Sequence, residues 1–410
     1  MATTRKAPRG KGGRNITVTR TRRTVQFAML ALVLTGTFAL GANCERWCPF
    51  GAVEALYAYA VEGNMICSLG TSNFFIFGGV LLMTFLLRRA FCGYICPIGT
   101  ISELLGALGR RLKIPTVEIT RAPDHILAGL KYVVLAIILW FTYQAGELVF
   151  RGFCPGYALI SRNGTDITVW AYVVSGTIAG ASLLIAVPFC RWLCPLAAVL
   201  NPISRFGLTR VERDLSVCRD CGLCAKSCPV AVPVDRLEEV TAARCTSCMN
   251  CIDACPQAQD DLPAISLRLA RPLSQRWSQA ALIAVLLACT GGAVAASYAL
   301  PIPSYVKSRG TRPQRVAETR LEIHDLGCRG RANLLFYFIE RDDFYEIPGY
   351  IQLKAWPGPG VADVHVSYDP ALAGEDGIRQ AITEPYYDVL ADFWRMPPFR
   401  IEGYDPLAPR

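Results

Sequence analysis

Cys218-x-x-Cys221-x-x-Cys224-x-x-x-Cys228-Pro229 recurs as Cys245-x-x-Cys248-x-x-Cys251-x-x-x-Cys255-Pro256. Three thiolates at this spacing wrap one iron–sulfur cube, and the fourth, followed by a proline that turns the chain away, reaches the neighbouring cube. The expected ligand sets are therefore Cys218, Cys221, Cys224 and Cys255 for one [4Fe-4S] cluster, and Cys245, Cys248, Cys251 and Cys228 for the other. Zinc sites with four thiolates also use C-x-x-C pairs, but two complete runs with both prolines point to iron. Neither run carries a substrate-sized site of its own, so residues 205–275 read as a wire.

The surroundings of this module are apolar. The 410 residues are 52% hydrophobic and only 18% charged, with 42 Lys and Arg against 33 Asp and Glu for a net +9, and a mean hydropathy of +0.31. Globular proteins run near 25% charged, so the apolar excess must face lipid; no nucleic-acid partner is expected. The 18 cysteines belong to metal chemistry here, because disulfide frameworks are a device of small secreted domains. Of the three histidines only His125 lies near an apolar segment, with His324 and His365 far downstream, so no haem is expected.

Uncharged runs of about 20 residues, enough to cross a bilayer, occupy residues 24–43, 64–87, 126–146 (enclosing Lys131), 167–190 and 277–306. A basic arm, residues 1–23, carries eight basic residues and no acid and is expected in the cytoplasm. Alternation from there puts residues 44–63 and 147–166 outside. It puts Arg88, Arg89, Arg110, Arg111, Lys113 and Arg121 inside, together with residues 191–276. The fifth span, interrupted by Gly291-Gly292, is too short for two crossings, which places residues 307–410 outside.

Residues 24–204 form a four-helix membrane region with an internal repeat. Trp47-Cys48-Pro49-Phe50 echoes Phe153-Cys154-Pro155-Gly156, and Phe91-Cys92-Gly93-Tyr94-Ile95-Cys96-Pro97 echoes Phe189-Cys190-Arg191-Trp192-Leu193-Cys194-Pro195. C-x-x-x-C-P also occurs at Cys44 with Cys48. Spacing i, i+4 places both sulfurs of a pair on one helical face. Cys92, Cys96, Cys190 and Cys194 are then a third metal site, a redox-active dithiol group, or four reduced thiols packed as small apolar residues. Cys44, Cys48, Cys67 and Cys154, on the outer side by the alternation, read as disulfides or as cofactor ligands.

With these motifs in place, the chain resembles the membrane polyferredoxins of the NapH and NosR type over roughly residues 24–270. That resemblance implies a bacterial inner-membrane electron-transfer protein with cytoplasmic clusters, working between a quinol pool or cytosolic donor and a respiratory or extracytoplasmic redox partner. The fifth span (276–306) and external tail are similar in layout to the CcoG copper reductases, and no N-terminal flavin domain of the NosR kind is evident. The tail, residues 307–410, is acidic, with 15 acids against 8 basic residues after residue 320. Its pattern predicts a strand at 320–325, a helix at 332–341, strands at 350–355 and 363–368, a helix at 375–382 and a last strand near Arg400. This α+β, ferredoxin-like βαββαβ order resembles the heavy-metal-associated domain. Cys328 matches that family's first ligand, but Arg331 stands at the second, so a two-thiolate soft-metal site cannot form in one copy.

No phosphate-binding loop, dinucleotide fingerprint or zinc-protease motif occurs, and Gly358-Pro359-Gly360 reads as a turn. Glu103 and Glu147 beside apolar spans are either quinol proton sites or interfacially solvated carboxylates. The functional expectation is electron transfer. Copper handling or metal reduction in assembly of a respiratory enzyme is the alternative, and a structural anchor subunit the third reading.

Overall fold

The computed structural model describes residues 16–40, 47–62, 72–117, 119–145, 149–161, 167–256, 264–270, 275–300, 303, 305–327, 329–341, 346–358, 360–388 and 393–404. Cys44, Cys67, Glu147, Cys328 and Pro359 lie outside these residues. The chain forms two compact units, residues 1–50 with 75–144 and 149–296, and residues 51–74 with 145–148 and 297–410.

The first unit is mostly helical. Its elements are α1 (Ile16–Phe38), then, beyond α2 (Gly51–Glu62) of the second unit, α3 (Ser72–Leu87), α4 (Ala90–Tyr94), α5 (Pro97–Arg111), α6 (Arg121–Leu127), α7 (Leu130–Ala145), α8 (Pro155–Ile160), α9 (Val169–Leu184) and α10 (Pro195–Ser204). Two helical stretches are long and apolar enough to cross a membrane, Ala122–Gln144 and α13 (Gln279–Ala299). α3 and α9 have 16 residues each, about 24 Å at 1.5 Å per residue and short of a 30 Å hydrocarbon core. α1 also starts eight residues earlier than the expected span, inside the basic arm. Gly291-Gly292 does not interrupt α13, because a glycine costs a helix only about 1 kcal/mol.

The C-x-x-x-C-P motifs break helices rather than ride on one face of them. Cys92 lies in α4, whereas Cys96 has extended ψ 119° and caps α5, with Pro97 in its first turn. Cys190 lies in a π-turn at Phe189–Leu193, and Cys194, ψ 115°, caps α10 ahead of Pro195. Cys154 caps α8 in the same way. Proline explains the break: it is tolerated in a first turn but not farther in, and it drives the preceding residue out of the helical region. α5 packs on α9 through the Ser102 and Ser182 hydroxyls, 2.8 Å apart. A Cβ on Gly109 would stand 2.3 Å from the Leu183 carbonyl oxygen, so only glycine permits this approach.

Between α10 and α13 the chain enters through β1 (Thr209–Arg213) and leaves through β2 (Ile265–Leu269), paired antiparallel with Thr209 opposite Leu269. The cysteine runs between them carry single-turn helices α11 (Leu223–Lys226) and α12 (Asn250–Asp253). Left-handed backbone recurs at matching places, Asp220 and Gly222 in the first run and Ser247 and Met249 in the second. These reversals bend both C-x-x-C-x-x-C segments at matching places; Cys224, Cys248 and Cys251 are buried, whereas Cys221 is exposed.

In the second unit, β3 (Tyr305–Arg309), β4 (Ala317–His324), β5 (Ile351–Ala355), β6 (Val361–Tyr368) and β9 (Arg400–Ile401) form an antiparallel sheet in the order β3-β5-β6-β4-β9. α14 (Arg329–Glu340) and α15 (Glu375–Thr383) cover it, burying Leu335, Phe336, Ile339, Ile378 and Ile382 against Leu321, Ile323, Val364 and Val366. From β4 to β9 the order is βαββαβ once the small pair β7 (Tyr386–Asp388) and β8 (Phe393–Arg395) is set aside. The edge strand β3 was not expected. It pairs antiparallel with β5, and the Tyr305 hydroxyl at its start donates to Asn333 Oδ1 at 2.9 Å.

Candidate functional site

The second cysteine run closes on a cavity. Cys228, Cys245, Cys248 and Cys251 line it together with Val211, Val230 and Val240. Cys228 comes from the first run and lines the same cavity as the three cysteines of the second. The Val232 amide donates to the Cys228 sulfur at 3.3 Å, and burial pushes that thiol up to about 12. Cys251 also lies in electrostatic range of Cys224, which sets the two runs side by side. In the first run Cys224 faces Cys221, and Arg213 donates to the Cys218 sulfur at 3.5 Å. Among the described residues no three His, Cys, Asp or Glu groups stand close enough to hold a single metal ion. Four cysteines converging on one otherwise mostly apolar pocket instead suit a larger thiophilic cluster.

The helical region grips this loop directly. The Arg89 amide donates to the Cys245 carbonyl at 3.4 Å, the Ser247 hydroxyl to the Leu87 carbonyl at 3.0 Å, and the Tyr94 hydroxyl to the Ser247 carbonyl at 3.5 Å. Gly93 lies so close that a Cβ would meet the Thr246 carbonyl oxygen at 2.9 Å. Arg88 donates to the carbonyls of Thr209 (2.7 Å) and Ala242 (3.2 Å). From α1, Thr19 bonds Asp253, while Arg22 bonds Asn250 (2.7 Å) and the Gly93 carbonyl (3.1 Å) and pairs with Glu103. Glu103 is thus held by a buried guanidinium while staying partly exposed.

Cys92, Cys96, Cys190 and Cys194 come together around Arg89. Cys190 is in electrostatic range of the other three, and Arg89 Nη2 lies 3.8 Å from the Cys92 sulfur. Burial holds the Cys96 thiol near 12 and the Cys194 thiol near 11. Beside this set, Asp124 accepts from Arg191 (2.5 Å), Trp192 (2.9 Å) and Arg244. It ties the cysteine turn of residues 190–194 to the loop that opens the second run.

Cys48 and Cys154 require a correction. The alternation put them a bilayer away from Cys194, yet Cys154 lies in electrostatic range of both Cys48 and Cys194. Gly156 abuts Ile98, next to the Cys96-Pro97 turn, and the Phe50 and Phe150 rings meet edge to face at 5.0 Å. The segments after the first and third apolar stretches fold back to the inner motifs, and Cys154 forms no disulfide among the described residues. Arg22, Arg88, Arg89, Asp124 and Arg244 were missed as site residues. The available signals were a pair of arginines separated by two residues from Cys92 and an arginine directly before Cys245.

In the second unit, Arg331 at the expected second-ligand position donates to the Asp325 carbonyl at 2.6 Å. It closes the β4–α14 loop instead of binding metal.

Residues 69–115 and 167–213 each match the 4Fe-4S binding domain, coinciding with the internal repeat, and residues 210–256 match the 4Fe-4S dicluster domain. These domains set the chain beside a group of 4Fe-4S electron-transport and ferredoxin-type proteins to which it is similar. Among them, the chain is 30% identical over 220 residues to the putative electron transport protein YccM of Escherichia coli (strain K12), covering 52% of this chain and 61% of that protein. It is 31% identical over 190 residues to the ferredoxin-type protein NapH of Haemophilus influenzae, covering 43% and 63%. With the regulatory protein NosR of Pseudomonas aeruginosa it shares 28% over 168 residues, 40% of this chain and 23% of that one. The match therefore spans less than two thirds of each of these three relatives. No solved structure matches.

Proposed function

We propose that this protein is an iron–sulfur electron carrier of the bacterial inner membrane. In this reading Cys218, Cys221, Cys224 and Cys255 hold one [4Fe-4S] cluster and Cys245, Cys248, Cys251 and Cys228 a second. Cys92, Cys96, Cys190 and Cys194 hold a third centre beneath them. Bound clusters supply one-electron chemistry; the chain supplies insulation, spacing and counter-charge. The single observation that carries the reading is the docking of the Cys245–Ser247 loop on the Leu87–Tyr94 segment. It brings a carrier loop within one hydrogen bond, Arg89 amide to Cys245 carbonyl at 3.4 Å, of a second cysteine constellation.

The valine walls of the pocket exclude water from the Cys228, Cys245, Cys248 and Cys251 set. Arg89 and the α4–α5 break orient Cys92 and Cys96 toward Cys190 and Cys194. The electrons pass between a quinol pool or a cytosolic donor and a respiratory or extracytoplasmic partner. The cysteine module (205–275) faces the cytoplasm, and the sheet unit after α13 the other side. Copper handling gains no support from the described tail, where Arg331 occupies the second-ligand position.

Anaerobic iron and acid-labile sulfide analysis with EPR tests this. Three cubes require about twelve irons per chain, falling to about eight when Cys92, Cys96, Cys190 and Cys194 are changed to Ser. About eight irons in both proteins removes the third centre, and far fewer removes the carrier function.

A further inference from the structure

The two cysteine runs sit in opposite electrostatic surroundings. In the first, Cys221 is exposed, the Arg213 that reaches Cys218 is itself paired with Asp220 at 2.8 Å, and Asp235 lies in range of Cys224. Positive charge there is matched by carboxylates, of which Asp220 stands in water. The second run and the four-cysteine set instead face three arginines buried by the helical region, Arg22 at 2% exposure, Arg88 at 0% and Arg89 at 1%. Arg22 lies in range of Cys248, Arg88 of Cys245, and Arg89 of Cys92, Cys190 and Cys194.

Arg22 is neutralised by Glu103. Arg88 and Arg89 have no carboxylate salt bridge among the described residues, and the Glu239 near Arg88 is taken by Arg210. Their donors go to the carbonyls of Thr209 and Ala242, to Asn201 Oδ1 (3.1 Å) and to the Cys92 sulfur (3.8 Å), while Arg88 Nη2 and Arg89 Nε have no hydrogen-bond partner among the described residues. A buried, unpaired guanidinium is costly, so its presence calls for an anion. The groups within reach are the cysteine sulfurs. Four thiolates leave a cluster net anionic in either redox state, and reduction adds one more negative charge. A nearby fixed cation therefore favours the reduced form, whereas burial alone opposes it.

We infer that Arg88 and Arg89 order the potentials of this chain, making the solvent-facing Cys218–Cys224 site the entry point for a soluble one-electron protein donor and the buried sites beneath it the acceptors. The donor loses one electron and the chain gains it at the first run; no bond forms or breaks. The inference rests on the proposal that these cysteines hold clusters, and it adds a direction to that proposal.

The test is an EPR-monitored potentiometric titration of the full-length protein in detergent, after iron analysis. The first site should have the lowest potential in the wild type. Arg88→Met should lower the second site by 59 mV or more, a tenfold change in a one-electron reduction equilibrium. The first site should not move, and Arg88→Lys should restore most of the shift. A wild-type first site above the second, an unmoved second site in Arg88→Met, equal shifts at both sites, or Lys acting like Met each overturns the ordering. Should Arg88→Met not fold, the wild-type order of potentials and the Arg88→Lys titration still decide. Iron well below about eight per chain sinks the carrier proposal itself, whereas full iron with the wrong order sinks only the direction.

Discussion

Replacing Asp124 by alanine strikes the joint between the two cysteine constellations. Asp124 is 3% exposed and accepts from three donors, Arg191 at 2.5 Å, Trp192 Nε1 at 2.9 Å and Arg244. Both arginines are buried or nearly so, at 6% and 16% exposure, so water cannot replace the lost carboxylate. Removing one partner of a buried pair costs about 3–5 kcal/mol, because it leaves charge without compensation. Asp124→Asn keeps an acceptor for Trp192 and loses only the charge, for about 1.5–3 kcal/mol. Arg191 adjoins Cys190 and Arg244 adjoins Cys245, so the loss should loosen both metal sites together. Denaturant unfolding followed by visible cluster absorption, with iron retained after gel filtration, measures both effects. The double variant Asp124→Ala, Arg244→Met should be less damaged than the sum of the singles, with a coupling of about 0.5–3 kcal/mol. A wild-type midpoint and iron content in Asp124→Ala would refute the argument, as would strict additivity.

Three other outcomes follow from the same geometry. Gly93→Ala places a Cβ 2.9 Å from the Thr246 carbonyl and should cost about 1–3 kcal/mol while exposing the Cys245–Ser247 amides to hydrogen exchange. Gly78→Ala, with open space around it, is the matched control, and equal protection in the two variants contradicts the docking. Gly222→Ala should destabilise the first run by about 1 kcal/mol, since Gly222 has φ +69° with no atom crowding it; an unchanged unfolding midpoint would disprove this. In metal-free protein the Cys228 thiol, raised to about 12, is protonated at neutral pH, so metal loading must release protons and strengthen as pH rises. A weakly buffered titration reads the release, and pH-independent loading contradicts it.

The cysteine spacing, the apolar runs and the strand and helix periods of the tail were legible because each depends on neighbours within about a dozen residues. The proline after each fourth cysteine, the two-residue alternation of β4 and the 3.6-residue pattern of α15 are local signals. So the cysteine module, the apolar helices and the βαββαβ order could be read directly. Hydropathy alone does not register that Pro97 and Pro195 start new helices or that α9 ends at Leu184.

What only the tertiary structure decided is who shares space across long stretches of chain. Nothing near Cys154 in sequence announces Cys194, nothing near Arg22 announces Asn250, and nothing near Asp124 announces Arg244. A buried arginine reads in sequence like a membrane-flanking one, because both are a cation beside an apolar run. The difference lies in what surrounds it after folding: water for a flank, carbonyls and sulfurs for Arg88 and Arg89. Local dihedral preferences and hydrophobic period are written into the order of residues, whereas the pairing of distant charges depends on how the helices pack.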